Sequence, residues 1–445
     1  MLVAAALVDR GRRTILVVLA PVSRIAVIGS GYVGLTAGAC FAHLGHYVLC
    51  ADVDAEKVER LSRGEVPILE AGLPEMVREG IAGRRLKFVV GAAAAAATCE
   101  FAFLCVPTPQ AEDGSADLSY LRDVAVEIGP ALAPESVVVN KSTVPVGSTH
   151  VVEEVLARDD VAVVSNPEFL REGSAVHDFL HPDRIVIGAE DQQAAARVGE
   201  LYRGVQAPVI VTDPASAEMI KYGSNAFLAA KVSFVNAVAN VCEAVGADVR
   251  DVLLGMGYDR RIGFEFLRPG PGWGGSCFPK DVNALVRISS DAGYDFGLLR
   301  GVMEVNEEQF DIIASKVSTA AGGSIDGKKV AVWGLTFKAR TDDLRQSPAL
   351  AVIERLKACG ASIRAFDPAI TAGRTIEGVE VCADPYAACE GAAALVVLTE
   401  WDEFRRLDFG KVASLLAAPT VVDARNLLDP AALRRLGYTY TGVGR

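Results

Sequence analysis

Cys277 lies in the most unusual stretch of this chain, Pro269-Gly-Pro-Gly-Trp-Gly-Gly-Ser-Cys-Phe-Pro-Lys-Asp281. Glycines on both sides of Trp273 expose backbone, and Pro279 suits the first turn of a helix that continues through DVNALVRIS. The thiol therefore sits near a helix N-terminus, with Lys280 close by. Both features lower a thiol pKa and raise the thiolate fraction, which is what a covalent nucleophile needs. A lone cysteine is by default a small buried apolar residue. That reading suits Cys40, Cys50 and Cys105, which stand in apolar elements, but not a cysteine flanked by glycines and charges.

Two further groups could act with it. Lys221 and Asn225 stand four apart in a long run and share one helix face, with Glu218 three residues before. An ammonium and an amide facing a cleft stabilise an oxygen that becomes negative; the same spacing, taken alone, also describes a solvated face. Glu168 follows the apolar run VAVVSNP and reads as a general base or a surface carboxylate, its place at a strand's carboxyl end favouring the base. At the other end of the chemistry, Gly29-Ser30-Gly31-Tyr32-Val33-Gly34 matches G-x-G-x-x-G. Gly29 permits a tight turn, Gly31 lets backbone approach a pyrophosphate, and Gly34 allows close helix–strand packing. Asp52 ends the next strand and can accept hydrogen bonds from an adenosine ribose, which favours NAD over NADP. Lys57 is a further candidate cofactor contact.

The elements that must hold these groups follow from periodicity. RIAVIG (24–29), the helix Leu35 to Leu44 and YVLCADVD form a βαβ unit. Apolar runs at 87–91, 101–107, 136–142 and 161–167 alternate with helical segments such as Leu118 to Leu132 and His150 to Arg158. This predicts a doubly wound, mostly parallel sheet, extended by 184–188 and 208–212. Pro214 to Val245 reads as one helix of roughly 48 Å at 1.5 Å per residue, closed by Gly246. Its length and small residues suit a spine between domains and a dimer surface. A second α/β unit begins at Lys328, after a linker at about 316–327. The domains expected are an N-terminal extension at 1–23, a dinucleotide-binding domain at 24–212, a helical middle and dimerisation domain at 213–318, and a C-terminal α/β domain at 325–445.

Composition limits the rest. A chain of 445 residues is too long for a single core. A net charge of −12 argues against general nucleic-acid binding, though not against a nucleotide substrate held by a few local cations. Nine cysteines without a Cys-x-x-Cys pair, and only five histidines, suggest reduced thiols and no metal cluster. Two short apolar runs before Pro21, split by Arg10, Arg12 and Arg13, match neither a signal peptide nor a membrane span. A cytoplasmic protein without membrane or nucleic-acid partners is expected.

From about Arg24 onward the chain resembles the UDP-glucose/GDP-mannose dehydrogenase family. Seven motifs in order carry the resemblance: GSGYVGL (29–35), KSTVPVG (141–147), NPEFLREGSA (166–175), IKYGSNAFLA (220–229), DRRIG (259–263), GWGGSCFPKD (272–281) and GLTFKARTDDLRQSP (334–348). The resemblance implies two doubly wound Rossmann-like domains joined by a long central helix and a helical middle domain. It implies that Cys277 is the nucleophile, that Lys221, Asn225 and Asp281 stabilise oxygen intermediates, and that Thr143 and Glu168 handle water and protons. Tyr32, Val33, Asp52, Lys57, Thr108 and Thr143 would touch NAD, as would Glu172, Lys280 and Arg345. The nucleotide sugar would lie against Glu168, Phe169, Leu170, Arg171 and Glu172, against Lys221 and Asn225, and against Phe266, Leu267, Arg268, Pro269, Gly270, Gly274 and Lys338. Arg261 would reach a substrate in a neighbouring subunit, which implies a homodimer.

The implied reaction takes a sugar CH2OH to an aldehyde, captures it on Cys277 as a thiohemiacetal, oxidises that to a thioester and hydrolyses it to a carboxylate. The GGSCFPKD form is similar to members acting on UDP-glucose. Those acting on GDP-mannose often carry Leu where Phe278 stands, and those acting on UDP-N-acetyl-hexosamines typically lack the Pro-Lys-Asp run. Arg268 replaces a Lys of the animal members, a departure that bears on phosphate contact. Two other readings compete. An inactive NAD-binding scaffold would not need the complete set of Cys277, Lys221 and Asn225. A simple hydroxy-acid dehydrogenase would need neither Cys277 nor a second α/β domain.

Overall fold

Runs of Val, Ile, Leu and Phe too short for helices become strands, and the longer Ala- and Leu-rich stretches between them become helices. The structure, a computed structural model, describes residues 4–9, 12–17, 22–111 and 115–445. It forms two compact units, Met1–Tyr222 and Gly223–Arg445. In the first, β1 (Ala4–Asp9) and β2 (Arg12–Val17) pair antiparallel as a two-stranded sheet of their own. Of the N-terminal extension expected over 1–23, residues 1–3, 10, 11 and 18–21 lie outside the described residues.

The main sheet of the first unit opens with β3 (Arg24–Ile28), α1 (Tyr32–His43) and β4 (Tyr47–Asp52). It continues through α2 (Ala55–Ser62), α3 (Leu73–Ala82), β5 (Leu86–Val90), α4 (Ala92–Ala96), β6 (Phe101–Leu104), α5 (Ser119–Ile128) and β7 (Val137–Asn140). Then come α6 (Ser148–Leu156), β8 (Ala162–Ser165), α7 (Ala175–Leu180), β9 (Ile185–Gly188), α8 (Gln192–Leu201) and β10 (Val209–Thr212). Strand order is β10-β9-β8-β7-β6-β3-β4-β5, with every neighbouring pair parallel except β8–β9. The order reverses between β3 and β6, where Ile25 pairs with Val48 on one side and Phe101 on the other. Ligands of open α/β sheets bind at such a switch point.

Both faces of this sheet are buried. On one, Phe41 packs its ring 5.0 Å from Phe103, 5.1 Å from Phe179 and 5.3 Å from Tyr202. On the other, Val138 joins Leu104, Leu121 and Ile128. The helix expected from Leu35 starts at Tyr32, because Gly31 already serves as its N-cap. The one expected to reach Leu132 stops at Ile128, before Gly129-Pro130.

α9 (Pro214–Val245) spans the expected run from its proline to the residue before Gly246. It is the one described helix whose length and composition alone would let it cross a membrane. Its polar residues Glu218, Lys221, Asn225 and Asn236 are nonetheless buried inside the protein and hydrogen-bonded there.

The second unit continues with α10 (Val249–Gly257), α11 (Phe278–Asp291) and α12 (Gly297–Ala320). α12 thus runs into the region expected to be linker. β11 (Lys329–Trp333), α13 (Pro348–Ala358), β12 (Ser362–Phe366), β13 (Val379–Val381), α14 (Pro385–Cys389) and β14 (Ala394–Val397) follow. α15 (Phe409–Leu415), β15 (Thr420–Asp423), α16 (Pro430–Arg435) and β16 (Thr439–Thr441) end it. Its sheet, β13-β12-β11-β14-β15-β16, is parallel throughout and reverses between β11 and β14.

Candidate active site

The glycine loop after β3 is shaped by close approach. Gly29 has φ +95°, and a Cβ there would lie 2.6 Å from the Cys105 carbonyl oxygen. One on Gly34 would lie 1.8 Å from the Gly29 carbonyl oxygen, so only glycine lets α1 pack here. Above Gly31 a Cβ would meet nothing within 4 Å, which leaves backbone and the α1 N-terminus, where Tyr32 and Val33 stand, open to an anion.

Asp52, at the end of β4, accepts from Ser30 N–H at 3.0 Å, Ser30 Oγ at 2.6 Å and Lys57 Nζ at 2.8 Å. Burial opposes its ionisation, but Lys57 and Ser30 outweigh it and hold the carboxyl at about 2. A charged acceptor beside an open glycine loop fits the ribose and pyrophosphate of a dinucleotide. Thr108 and Thr143, after β6 and β7, are joined by a 2.8 Å hydrogen bond from the Thr108 hydroxyl to the Thr143 carbonyl. Glu172 acts electrostatically on Tyr32.

Lys221 donates to Glu168 Oε1 at 2.8 Å and to the Glu168 carbonyl at 2.6 Å, and both side chains are 5% exposed. Burial favours the neutral acid, yet the Lys221 charge, its hydrogen bond and the Leu170 N–H lower the Glu168 pKa. Glu168 is therefore a buried carboxylate, and removing Lys221 would cost about 3–5 kcal/mol. The Lys221 ammonium also lies 5.4 Å from the Phe169 ring centroid. Arg171 is held by Asp178 at 2.6 Å. Glu218 does other work: it accepts from Gly147 N–H at 2.6 Å and from Thr149 N–H and Oγ1 at 2.9 and 2.7 Å, fixing the start of α6.

In the second unit Cys277 is the N-cap residue of α11, partly exposed, with Pro279 in the first turn. Asp281 follows one turn later, its N–H on the Cys277 carbonyl at 2.9 Å, which puts both residues on one face. Asn225 donates to Asp281 Oδ2 at 2.6 Å, and Lys280 donates to Oδ1 at 2.5 Å. The cation expected beside the thiol thus shares its charge with a fully buried carboxylate. Burial pushes other thiols up: Cys40, Cys105 and Cys389 to about 12, Cys99 to about 11.

The glycines before Cys277 are required by contact. A Cβ on Gly274 would lie 2.0 Å from the Gln346 carbonyl, and one on Gly275, at φ +84°, would strike the Phe337 ring. Polar side chains from α9 and α12 pin this loop. Trp273 Nε1 donates to Ser233 Oγ at 2.8 Å, and Trp273 N–H donates to Asn306 Oδ1 at 2.8 Å. Gly270 N–H donates to Asn236 Oδ1 at 2.9 Å, and its carbonyl accepts from Gln309 at 2.9 Å. Arg425, after β15, reaches within 3.3 Å of a Cβ placed on Gly270. Leu267 is buried, Pro269 half-buried and Arg268 exposed, while Phe266 takes φ +63° and sets its ring 6.4 Å from Phe278.

Three further expected contacts each have a neighbour close in sequence. Arg261 is 89% exposed in its side chain and pairs with Asp259. Arg345 folds back on Asp343 at 2.7 Å, and Lys338 lies 5.4 Å from the Phe337 ring centroid. Sequence reasoning missed the four pins of the cysteine loop and Arg425. A signal existed for two of the pins: Ser233 and Asn236 stand three apart inside an apolar helical stretch.

An open glycine loop of dinucleotide-binding form, a charged acceptor beside it and a cysteine at a helix N-cap in the second unit point to an NAD-binding dehydrogenase class. Comparison narrows it. Residues 23–206, 215–308 and 331–430 match the NAD binding, central and UDP binding domains of the UDP-glucose/GDP-mannose dehydrogenase family. The chain belongs to that family, and its cofactor is NAD. A UDP-glucose 6-dehydrogenase of Rhizobium meliloti is 46% identical, covering 95% of this chain and 99% of its own. The UDP-glucose 6-dehydrogenase TuaD of Bacillus subtilis is also 46% identical, over 95% of this chain and 93% of its own. A UDP-glucose dehydrogenase structure from Pyrobaculum islandicum superposes with TM-score 0.88 at 37% identity, covering 98% of this chain and 99% of that one.

Proposed function

We propose that the protein is an NAD-dependent UDP-glucose 6-dehydrogenase, oxidising UDP-glucose to UDP-glucuronate by four electrons in the cytoplasm. The observation that carries the reading is Cys277 at the N-cap of α11, one turn from an Asp281 already held by Asn225. The names of relatives 46% identical support the choice of sugar.

Gly31, Val33 and Asp52, with Thr108 and Thr143, would hold NAD, which supplies the hydride acceptor when bound. The chain's own residues do the rest. Cys277 as thiolate adds to the C6 aldehyde, so the intermediate stays attached as a thiohemiacetal. Asn225 and Lys221 supply hydrogen bond and charge where oxygen becomes negative. Asp281 holds the Asn225 amide in place. Glu168, kept ionised by Lys221, accepts the proton of the water that cleaves the thioester and returns Cys277 to its free form.

α9 carries Phe227, Phe234, Val241 and Val245 at 67, 58, 60 and 71% exposure, seven, seven and four residues apart on one stripe. A second copy of the chain covers this stripe in a homodimer, and the exposed Arg261 is then free to reach the neighbouring subunit. A monomeric sedimentation profile would remove this part of the reading.

The deciding assay counts NADH per nucleotide sugar, with excess NAD and limiting UDP-glucose or GDP-mannose. Two NADH per UDP-glucose is the expected result. Two per GDP-mannose would keep the mechanism and change the substrate; one per sugar would remove the thioester route.

A further inference from the structure

Beside the Glu168–Lys221 pair lies a second buried cation with no part in the mechanism above. Lys141 follows β7 and is 4% exposed. Along β7, Val137 and Val139 face the Phe41 core, and alternation sends Lys141 to that side. Its ammonium donates to the Asn166 carbonyl at 3.3 Å, to Asn166 Oδ1 at 3.1 Å and to the Tyr202 hydroxyl at 3.2 Å. Tyr202 also donates to Asn166 Oδ1 at 2.5 Å, and Asn166 Nδ2 donates to the Val186 carbonyl at 2.8 Å. Asn166 thus has its side chain and carbonyl fixed at the end of β8, two residues before Glu168. Lys141 and Glu168 line the same small cavity, of about 30 Å³.

We propose that Lys141 is a positioning residue for thioester hydrolysis: it locks the Asn166–Glu168 turn and gives the Glu168 carboxylate a second positive neighbour. This rests on the reading of Glu168 as the hydrolytic base. An ammonium buried among apolar rings is costly, and a methionine of similar length would fill the space without that cost. Satisfying two acceptors on Asn166 and the Tyr202 hydroxyl accounts for the charge better than packing does.

The groups facing Lys141 come from four other elements: Cys105 after β6, Asn166 and Glu168 after β8, Tyr202 at the end of α8, and Lys221 on α9. Burial lowers its pKa most, Cys105 and Glu168 act against that, and Lys221 adds to it, so that it stands at about 8. The second charge beside Glu168 is therefore lost just above neutral pH.

The test compares wild type with Lys141→Met, and with Tyr202→Phe, which removes one partner of the ammonium and leaves its charge. Enzyme quenched in acid during turnover is weighed as intact protein to read the acyl adduct on Cys277. Lys141→Met is expected to lower kcat about tenfold or more, to raise the acylated fraction, to leave KM for NAD within twofold, and to lose the fall in kcat above pH 8. Tyr202→Phe should shift the same quantities less.

An unchanged kcat and adduct level would overturn the proposal. So would a loss of kcat matched by weaker NAD binding without adduct, which is the mark of a merely structural role. If Lys141→Met does not fold, the adduct level of Tyr202→Phe decides. A substrate-free measurement separates this failure from failure of the functional reading. The folded pKa lies below the unfolded value, so the unfolded chain binds more protons between pH 8 and 10.5 and wild type gains stability as pH rises through that window. Lys141→Met must lack that gain whatever the substrate is, and equal pH dependence in the two proteins would sink the proposal.

Discussion

The two α/β units repeat one plan, and the ends of their second strands differ in what they leave open. Each sheet has a glycine with positive φ after its first strand, Gly29 and Gly334, pressed against the strand across the switch point. Each has an aspartate after its second strand that accepts from the residues following that glycine. Asp52 takes Ser30, is partly exposed and reaches Lys57. Asp367 takes Leu335 N–H at 2.7 Å and Thr336 N–H and Oγ1 at 3.0 Å, is 1% exposed, and is covered by Trp401.

The first aspartate is open to a new partner, as the proposed ribose contact requires; the second is sealed. The loops differ in step. α1 starts directly after the glycine loop, whereas α13 waits until Pro348. The intervening stretch of the second unit packs Phe337 and Gln346 on the glycines before Cys277. One fold carries the open glycine loop, and its copy supports the loop of the proposed nucleophile.

The largest expected effect tests that division at the cysteine. Cys277→Ser should lower uronate formation on the order of a thousandfold or more, with NAD affinity intact in a binding titration. Residual activity near wild type would remove the covalent step.

Next is Gly34→Ala, whose Cβ would collide with the Gly29 carbonyl. NAD binding should be lost in calorimetry while the second unit keeps its fold by circular dichroism.

A sharper contrast comes from paired amides. Asp52→Asn should raise KM for NAD about tenfold, as expected for a charge-assisted bond of roughly 1.5–3 kcal/mol, with a small change in melting temperature. Asp367→Asn should do the reverse, lowering melting temperature and sparing KM. Equal behaviour of the two would end the comparison.

The smallest effect concerns acid. Asp52 has a folded pKa of about 2, below the 3.8 of an ordinary aspartate. Its contribution to stability is complete above about pH 4 and is lost as pH falls through 2. Asp52→Asn should flatten acid unfolding in that window.

Much of this is legible in the sequence itself. α9 runs from Pro214 to Val245 as its proline, composition and closing glycine imply, and Asp52 ends the second strand beside the glycine loop as the motif suggests. What escaped was written in distant partners. Gln309 meets Gly270 and Lys141 meets Tyr202 only after helices and strands have docked, and no local pattern carries that information. β13 and β16 are three residues each, too short for alternation to declare them. The antiparallel turn of β9 likewise depends on a crossing that its apolar run does not encode.

The burial of the thiols has a consequence for how the protein meets electrophiles and oxidants. Seven of the nine cysteines are enclosed, leaving Cys277 and the exposed Cys359. Towards peroxide or an alkylating agent the folded chain behaves as a protein with two thiols, and one of them is the proposed nucleophile. Oxidative stress would then silence uronate production at Cys277 while the fold stays whole, and a reductant that reverses a sulfenate would restore it.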